Sequence, residues 1–292
     1  MISYYENKKL LQKDCLQEYA WEAIQSDCYG EERIKRMTAV KGKNTGNKRT
    51  RFAFLDTLRG MMLVSMILYH GCWNLVYLYG KDWQWYRYSK GAYFWQQSIC
   101  CTFIFLSGFC FLLGKRKIRN GLLIFFSGAL VSVVTGLVMP QNMVRFGVLT
   151  CIGSCILLTA FLESLLISLP ARQSALISLL LFIFTKDLNQ GFIGVGTRPL
   201  VKLPAGWYSS SFSAYLGFPP TDFSSTDYFS LLPWLFLFWT GFFVFRLLKS
   251  TGIWKLKLMQ LSIPPFAQLG RHSLFIYLVH QPILYLLGEM FL

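Results

Sequence analysis

From Phe54 to Tyr79 the chain reads FLDTLRGMMLVSMILYHGCWNLVYLY. The run is long and apolar enough to cross a bilayer, yet it carries Asp56, Arg59 and His70. Hydrocarbon is a poor solvent for charge, so an ionisable group inside a membrane helix is costly and usually functional. At about 100° per residue, positions 56, 59, 63, 66 and 70 fall within roughly 80° of one another. The three polar groups therefore share one helix face. Asp56 and Arg59, spaced i, i+3, can pair. His70 lies roughly 21 Å from Asp56 along the axis, so the stripe links one membrane surface to the other.

Further apolar runs follow. The pattern predicts seven spans, at about Phe52–Tyr79, Tyr93–Leu113, Gly121–Val138, Phe146–Leu169, Ser174–Thr185, Tyr228–Leu248 and His272–Phe291. The fifth is short for a bilayer, so six or eight elements are the alternatives. The runs are continuous rather than alternating, which argues against a β-barrel. The expected fold is an all-α polytopic membrane bundle of about seven helices. Residues 186–227, rich in Gly, Pro, Ser and aromatics, predict a structured loop that packs back on the helices. No internal repeat suggests a transporter-type duplication.

Lys and Arg set the orientation. Lys41, Lys43, Lys48, Arg49 and Arg51 precede the first span, Lys115, Arg116, Lys117 and Arg119 follow the second, and Lys249, Lys255 and Lys257 follow the sixth. The opposite loops are poorer in charge, so the N-terminus is expected in the cytoplasm and the C-terminus outside. Residues 1–50 form a polar tail with no apolar segment of signal-peptide type. A loose helix over Gln12–Ile34 and a flexible linker from Thr38 to Arg51 are expected there.

Composition agrees: 54% of the 292 residues are hydrophobic and only 15% are charged, and the mean hydropathy is +0.41. A soluble domain so composed would expose too much apolar surface. The net charge of +15 invites a nucleic-acid reading, but much of it sits in short loops on one side, where topology explains it. Six of the eight cysteines fall in apolar runs and none forms a CxxC pair. They read as small fillers, and no metal site is expected.

Two of the three histidines, His70 and His280, lie deep in spans. Imidazole titrates near neutrality and serves as a general base. In LGRHSLFIYLVHQPILYLL, Ser273, Tyr277 and His280 share one face within roughly 60°, Arg271 sits at the entry, and Pro282 interrupts the hydrogen-bond ladder. Arg145, in RFGVLTCIG, is either a snorkelling anchor or a ligand of the outer side. Asp227, at the entry of span six, is either a helix N-cap or a substrate contact. Ser107 and Gly108 in FLSG permit close helix approach. The KRKIR run at Lys115–Arg119 is explained by topology or holds an anionic nucleotide headgroup.

In order, LDTLRG with a following His, FLSG, RFGVLTCIG, DYFSLLPW and LGRHSLFIYLVHQP resemble the bacterial proteins with a heparan-alpha-glucosaminide N-acetyltransferase-like catalytic domain, over residues 51–292. The resemblance implies a plasma-membrane acyltransferase. A cytoplasmic acyl-CoA, acetyl-CoA above all, donates, and a hydroxyl or amine of an envelope carbohydrate or small-molecule acceptor receives the group on the far side. Asp56 and Arg59 then organise the cytoplasmic mouth, and His70 or His280 is the base or a transient acyl carrier. Arg59, Arg271, Lys115 and Arg116 are the candidates for the CoA moiety, and Arg145 and Asp227 for the acceptor. The family's proposed acyl-histidine lies in the loop after the first span, and that loop has no histidine here, so it is not carried over. In RFGVLTCIG, where bacterial relatives often have His, position 150 is Thr, which gives it a weaker polar role. The partners expected are the bilayer, acyl-CoA and the acceptor, with no nucleic acid; a homo-oligomer is compatible.

Two other classes fit the buried polar stripe. One is a transporter or flippase for a small anionic or lipid-linked solute, with the stripe as relay. The other is a non-catalytic assembly partner in envelope biosynthesis, indifferent to alanine at His70 and His280.

Overall fold

A computed structural model describes residues 52–196, 198–252, 259 and 261–291. The tail expected over residues 1–50, with its loose helix and linker, lies outside them, as do Arg51, Lys255 and Lys257.

The described chain is mostly helical. Helix α1 (Ala53–Trp73) continues into a π turn over Asn74–Leu78, closed by the Tyr79 N–H donating to the Asn74 carbonyl at 3.0 Å. After it come α2 (Gln84–Tyr88), α3 (Lys90–Phe109), α4 (Lys117–Val138), α5 (Val148–Phe161), α6 (Glu163–Ser168) and α7 (Ala171–Thr185). A small antiparallel hairpin, β1 (Phe192–Val195) and β2 (Arg198–Lys202), precedes α8 (Ser211–Leu216). Then come α9 (Leu231–Ser250), α10 (Pro264–Arg271) and α11 (Ser273–Phe291).

Among the described residues, four helices are long and apolar enough to cross a membrane: α1 with its π turn, α4, α9 and α11. The single helix expected over Phe146–Leu169 is two, broken at Leu162, where the backbone leaves the helical region. The segment 186–227 is structured, as expected, but it adds the hairpin to an otherwise helical chain. Its strands use the β-branched Ile193, Val195 and Val201.

Backbone proximity at small residues holds the bundle together. A Cβ on Gly108 of α3 would overlap the Phe238 carbonyl of α9, and one on Gly241 of α9 would overlap the Phe105 carbonyl of α3. Gly128 and Gly153 make a similar reciprocal contact between α4 and α5. Gly60 and Gly270 do the same for α1 and α10, against the carbonyls of Phe266 and Asp56. Small residues at such crossings let backbones approach where water supplies no driving force. The close-approach role expected for Gly108 is the one it has.

Two ends of the bundle can be told apart. Leu55 packs with Leu106, Phe109 and Phe245, so the start of α1 meets the ends of α3 and α9. Val76 packs with Tyr86 and Ala92, so the π turn meets the start of α3. These are called below the Asp56 end and the Asn74 end.

Candidate active site

Of the residues of helix α11 only His280 is fully buried, at 6% exposure; Ile276 and Tyr277 are partly buried against Leu63, Met66 and Ile99. The His280 Nδ1 lies 2.5 Å from the Tyr277 carbonyl oxygen, one turn back on the same helix. A carbonyl has no proton to give, so Nδ1 carries the hydrogen and Nε2 keeps its lone pair. That Nε2 is buried and has no hydrogen-bond partner among the described residues. Buried polar atoms in native proteins are rarely left so.

The ring of His280 faces that of His70, with centroids 5.0 Å apart and planes inclined at 58°. His70 lies in the last turn of α1. Four residues further, Asn74 opens the π turn, a geometry frequent at functional sites. Asn74 is only 3% exposed and accepts through Oδ1 from Gln281 Nε2 at 3.3 Å. Asn74 Nδ2 and Gln281 Oε1 have no partner among the described residues. His70, Asn74, His280 and Gln281 thus place two imidazoles and two amides where α1 and α11 meet, with a free acceptor nitrogen and a free amide donor.

Asp227 is held by a different framework. Its Oδ2 accepts from the Tyr277 hydroxyl at 3.4 Å and from the Val148 N–H at 3.4 Å. The carboxyl therefore stands at the N-terminus of α5, where the helix dipole favours an anion, and does not cap α9, whose preceding residue is Ser230. Phe146 makes this possible by adopting a left-handed φ of 53°, costly for a bulky residue; its carbonyl is fixed by the Phe229 N–H at 2.8 Å. A side chain at Gly147 would come 3.1 Å from Asp227 Oδ2. Burial pushes the Asp227 carboxyl up to about 6, against the opposing pull of the Val148 N–H and Tyr277 hydroxyl. Arg145 is pinned by its backbone to Ser225, and its side chain is exposed.

At the opposite end Arg59 Nη1 lies 3.2 Å from Asp56 Oδ1, and Arg271 Nε lies 3.8 Å from Asp56 Oδ2. Asp56 is 5% exposed. The stripe read along α1 does not join this cluster to His70. Between them stand Leu63 and Met66, both buried in an apolar cluster with Ile99. His70 meets the ring of His280 on the facing helix, because helical spacing sets which residues share a face and not what each meets across it. Lys115 and Arg116 are exposed in the turn before α4; next to them Lys117 pairs with Glu163. The six described cysteines are free thiols.

Asn74 and Gln281 were not singled out by the sequence, whereas Tyr277 was read as sharing the face of His280. The available signals were Asn74 one turn beyond His70 and Gln281 beside His280.

A family model described as heparan-alpha-glucosaminide N-acetyltransferase, catalytic, matches residues 51–282. The match includes every site residue named above. Among curated proteins and among solved structures nothing matches this chain. The chain belongs to the family of the heparan-alpha-glucosaminide N-acetyltransferase catalytic domain, and with its four membrane-length helices it is a membrane protein of acetyltransferase type.

Proposed function

We propose that the protein transfers an acetyl group from cytoplasmic acetyl-CoA to a carbohydrate-type acceptor on the far side of the plasma membrane. The observation that carries this reading is His280, a buried imidazole whose tautomer is set by the Tyr277 carbonyl and whose Nε2 is unengaged among the described residues. On the same reading the chain crosses the membrane about seven times, with its N-terminus in the cytoplasm. Helices α3, α5 and α7 then cross alongside the four longer ones. The Asp56 end faces the cytoplasm and the Asn74 end faces outward.

Arg59 and Arg271, grouped around Asp56, meet the CoA phosphates, and Lys115 and Arg116 add positive charge nearby. The thioester reaches inward toward the two imidazoles. The acceptor enters from the Asn74 end. Its O–H or N–H proton passes to His280 Nε2 as its O or N forms a bond to the thioester carbonyl carbon. Asn74 Nδ2 is a donor suited to the oxyanion that develops. The tetrahedral intermediate collapses, the C–S bond breaks, and the leaving thiolate takes the proton from the His280 imidazolium. His70, ring against ring with His280, positions the acceptor or carries the second proton-accepting nitrogen. Proton transfer by a placed group contributes about 10²–10⁴-fold.

The test is incubation of the purified full chain with acetyl-CoA and sugar acceptors, following free CoA and acetylated product by mass spectrometry. Product formed in step with CoA supports the reading. Accumulation of unmodified solute in proteoliposomes, without CoA release, contradicts it and favours transport.

A further inference from the structure

Helices α3 and α7 both pack on α9. At the Asn74 end a pocket of about 240 Å³ opens between the start of α3, the segment after α7 and the segment before α9. Trp234 and Phe229, both buried and with ring centroids 5.0 Å apart, give it an apolar wall. Tyr93, half exposed, stands at the mouth.

The pocket holds two opposite charges that are not spent on each other. Lys186 and Asp187 are adjacent and half-buried, yet neither has an ion-pair partner among the described residues. Lys186 Nζ lies 5.6 Å from the Tyr93 ring centroid, a contact that leaves its charge and its N–H donors available. Asp187 Oδ1 accepts from Gln190 Nε2 at 3.3 Å, a neutral amide that does not balance a carboxylate. Burial pushes the Asp187 carboxyl up, with Lys186 pulling the other way. A second acceptor, Gln97 Oε1, is buried without a hydrogen-bond partner among the described residues, a state that native proteins seldom leave unfilled. Asn189 accepts from the Ser230 hydroxyl at 3.3 Å, which leaves its NH₂ as a donor beside the Lys186 ammonium. A ligand complementary to all four residues is a zwitterion. Its cation must carry N–H groups, because a quaternary ammonium would answer the charge of Asp187 and give Gln97 Oε1 nothing.

The surface around the pocket says where such a ligand comes from. Helix α7 runs up to Lys186 with Leu180, Leu181 and Phe184 exposed, and beside Tyr93 on α3 Phe94 is exposed. In a membrane protein these side chains meet lipid, and a tyrosine at the end of such a face sits at headgroup level. We propose that this pocket binds the headgroup of a zwitterionic phospholipid bearing a primary ammonium. The phosphate meets Lys186 and Asn189, the ammonium meets Asp187 and Gln97, and the acyl chains lie along the exposed sides of α7 and α3. This site requires that the chain lie in a membrane and is independent of the transferase reading.

The experiment is titration of the purified full chain in detergent with dioctanoyl phosphatidylethanolamine, phosphatidylcholine and phosphatidylglycerol, read by native mass spectrometry. Glycerophosphoethanolamine, which has the headgroup and no chains, serves as competitor. The ethanolamine lipid is expected to bind at least about fivefold more tightly than the other two, which lack the primary ammonium. Asp187→Asn is expected to weaken it about tenfold, the scale of one charge-assisted hydrogen bond, and to leave phosphatidylglycerol binding unchanged. Lys186→Gln is expected to weaken all three lipids, and Lys202→Gln, exposed on β2 outside the pocket, none of them. Equal affinity for the three lipids in the wild-type chain overturns the proposal, and this ranking decides even if a variant fails to fold. So does ethanolamine-lipid binding unaltered in both pocket variants. Glycerophosphoethanolamine binding as tightly as the lipid would make the ligand a soluble zwitterion and overturn the lipid assignment.

Discussion

His280 donates from Nδ1 to the carbonyl of Tyr277 at 2.5 Å, and this relationship gives the buried ring one tautomer. A residue held this way presents Nε2 as a fixed base on a helix with no other fully buried side chain. The hydroxyl of the same Tyr277 reaches Asp227, so one residue joins the imidazole pair of α1 and α11 to the start of α5.

Asp227 predicts a pH dependence of stability. Its carboxyl protonates at about 6 in the folded protein, against an ordinary value of 3.8. Between those values the folded chain binds more protons than the unfolded one, so this group's contribution to stability falls as pH rises through that window. The unfolding temperature of Asp227→Asn in detergent, compared with wild type from pH 4 to pH 7, should lack this component of the slope. Identical slopes in both proteins would contradict the assignment.

The crossing of α1 and α10 is predicted to tolerate no side chain. Gly60→Ala and Gly270→Ala would drive a methyl into the Phe266 and Asp56 carbonyls, and overpacking of this kind costs at least about 1–3 kcal/mol. Thermal unfolding should show a clear loss for either variant. An alanine at Gly206, where nothing lies within 4 Å of the added Cβ, should leave the unfolding temperature unchanged.

The basic cluster at the Asp56 end predicts a split in kinetic parameters. Arg271 is half exposed and lies 3.8 Å from Asp56, which keeps Arg59 as a nearer partner. Arg271→Gln should raise KM for acetyl-CoA about tenfold, the scale of one charge-assisted phosphate contact, with a smaller change in kcat. Lys115→Gln and Arg116→Gln, exposed before α4, should change KM by less than about threefold. Steady-state kinetics at fixed ionic strength decide between the positions.

Much of this architecture is visible in residue patterning, and its limits have a physical cause. Apolar runs mark the helices because hydrocarbon selects composition, and Gly108 marks a crossing because only a missing Cβ allows the backbone contact. His70 and His280 stand out because ionisable groups in apolar runs are rare. Their meeting could not be read, since α1 and α11 are separated by some 200 residues and periodicity carries no information about partners. For the same reason Asp227, adjacent in sequence to α9, could not be seen to serve the start of α5. The break at Leu162 was equally hidden, because Leu is as compatible with a continuous helix as with a bend.

The most direct measurement is single-turnover acetyl transfer by purified His280→Gln, beside its unfolding temperature. Gln retains bulk and hydrogen-bonding capacity but cannot accept and release a proton near neutral pH. The account predicts a rate lower by about 10²–10⁴-fold, with acetyl-CoA binding and unfolding temperature unchanged. A folded variant that transfers acetyl within about twofold of the wild-type rate would contradict His280 as the base.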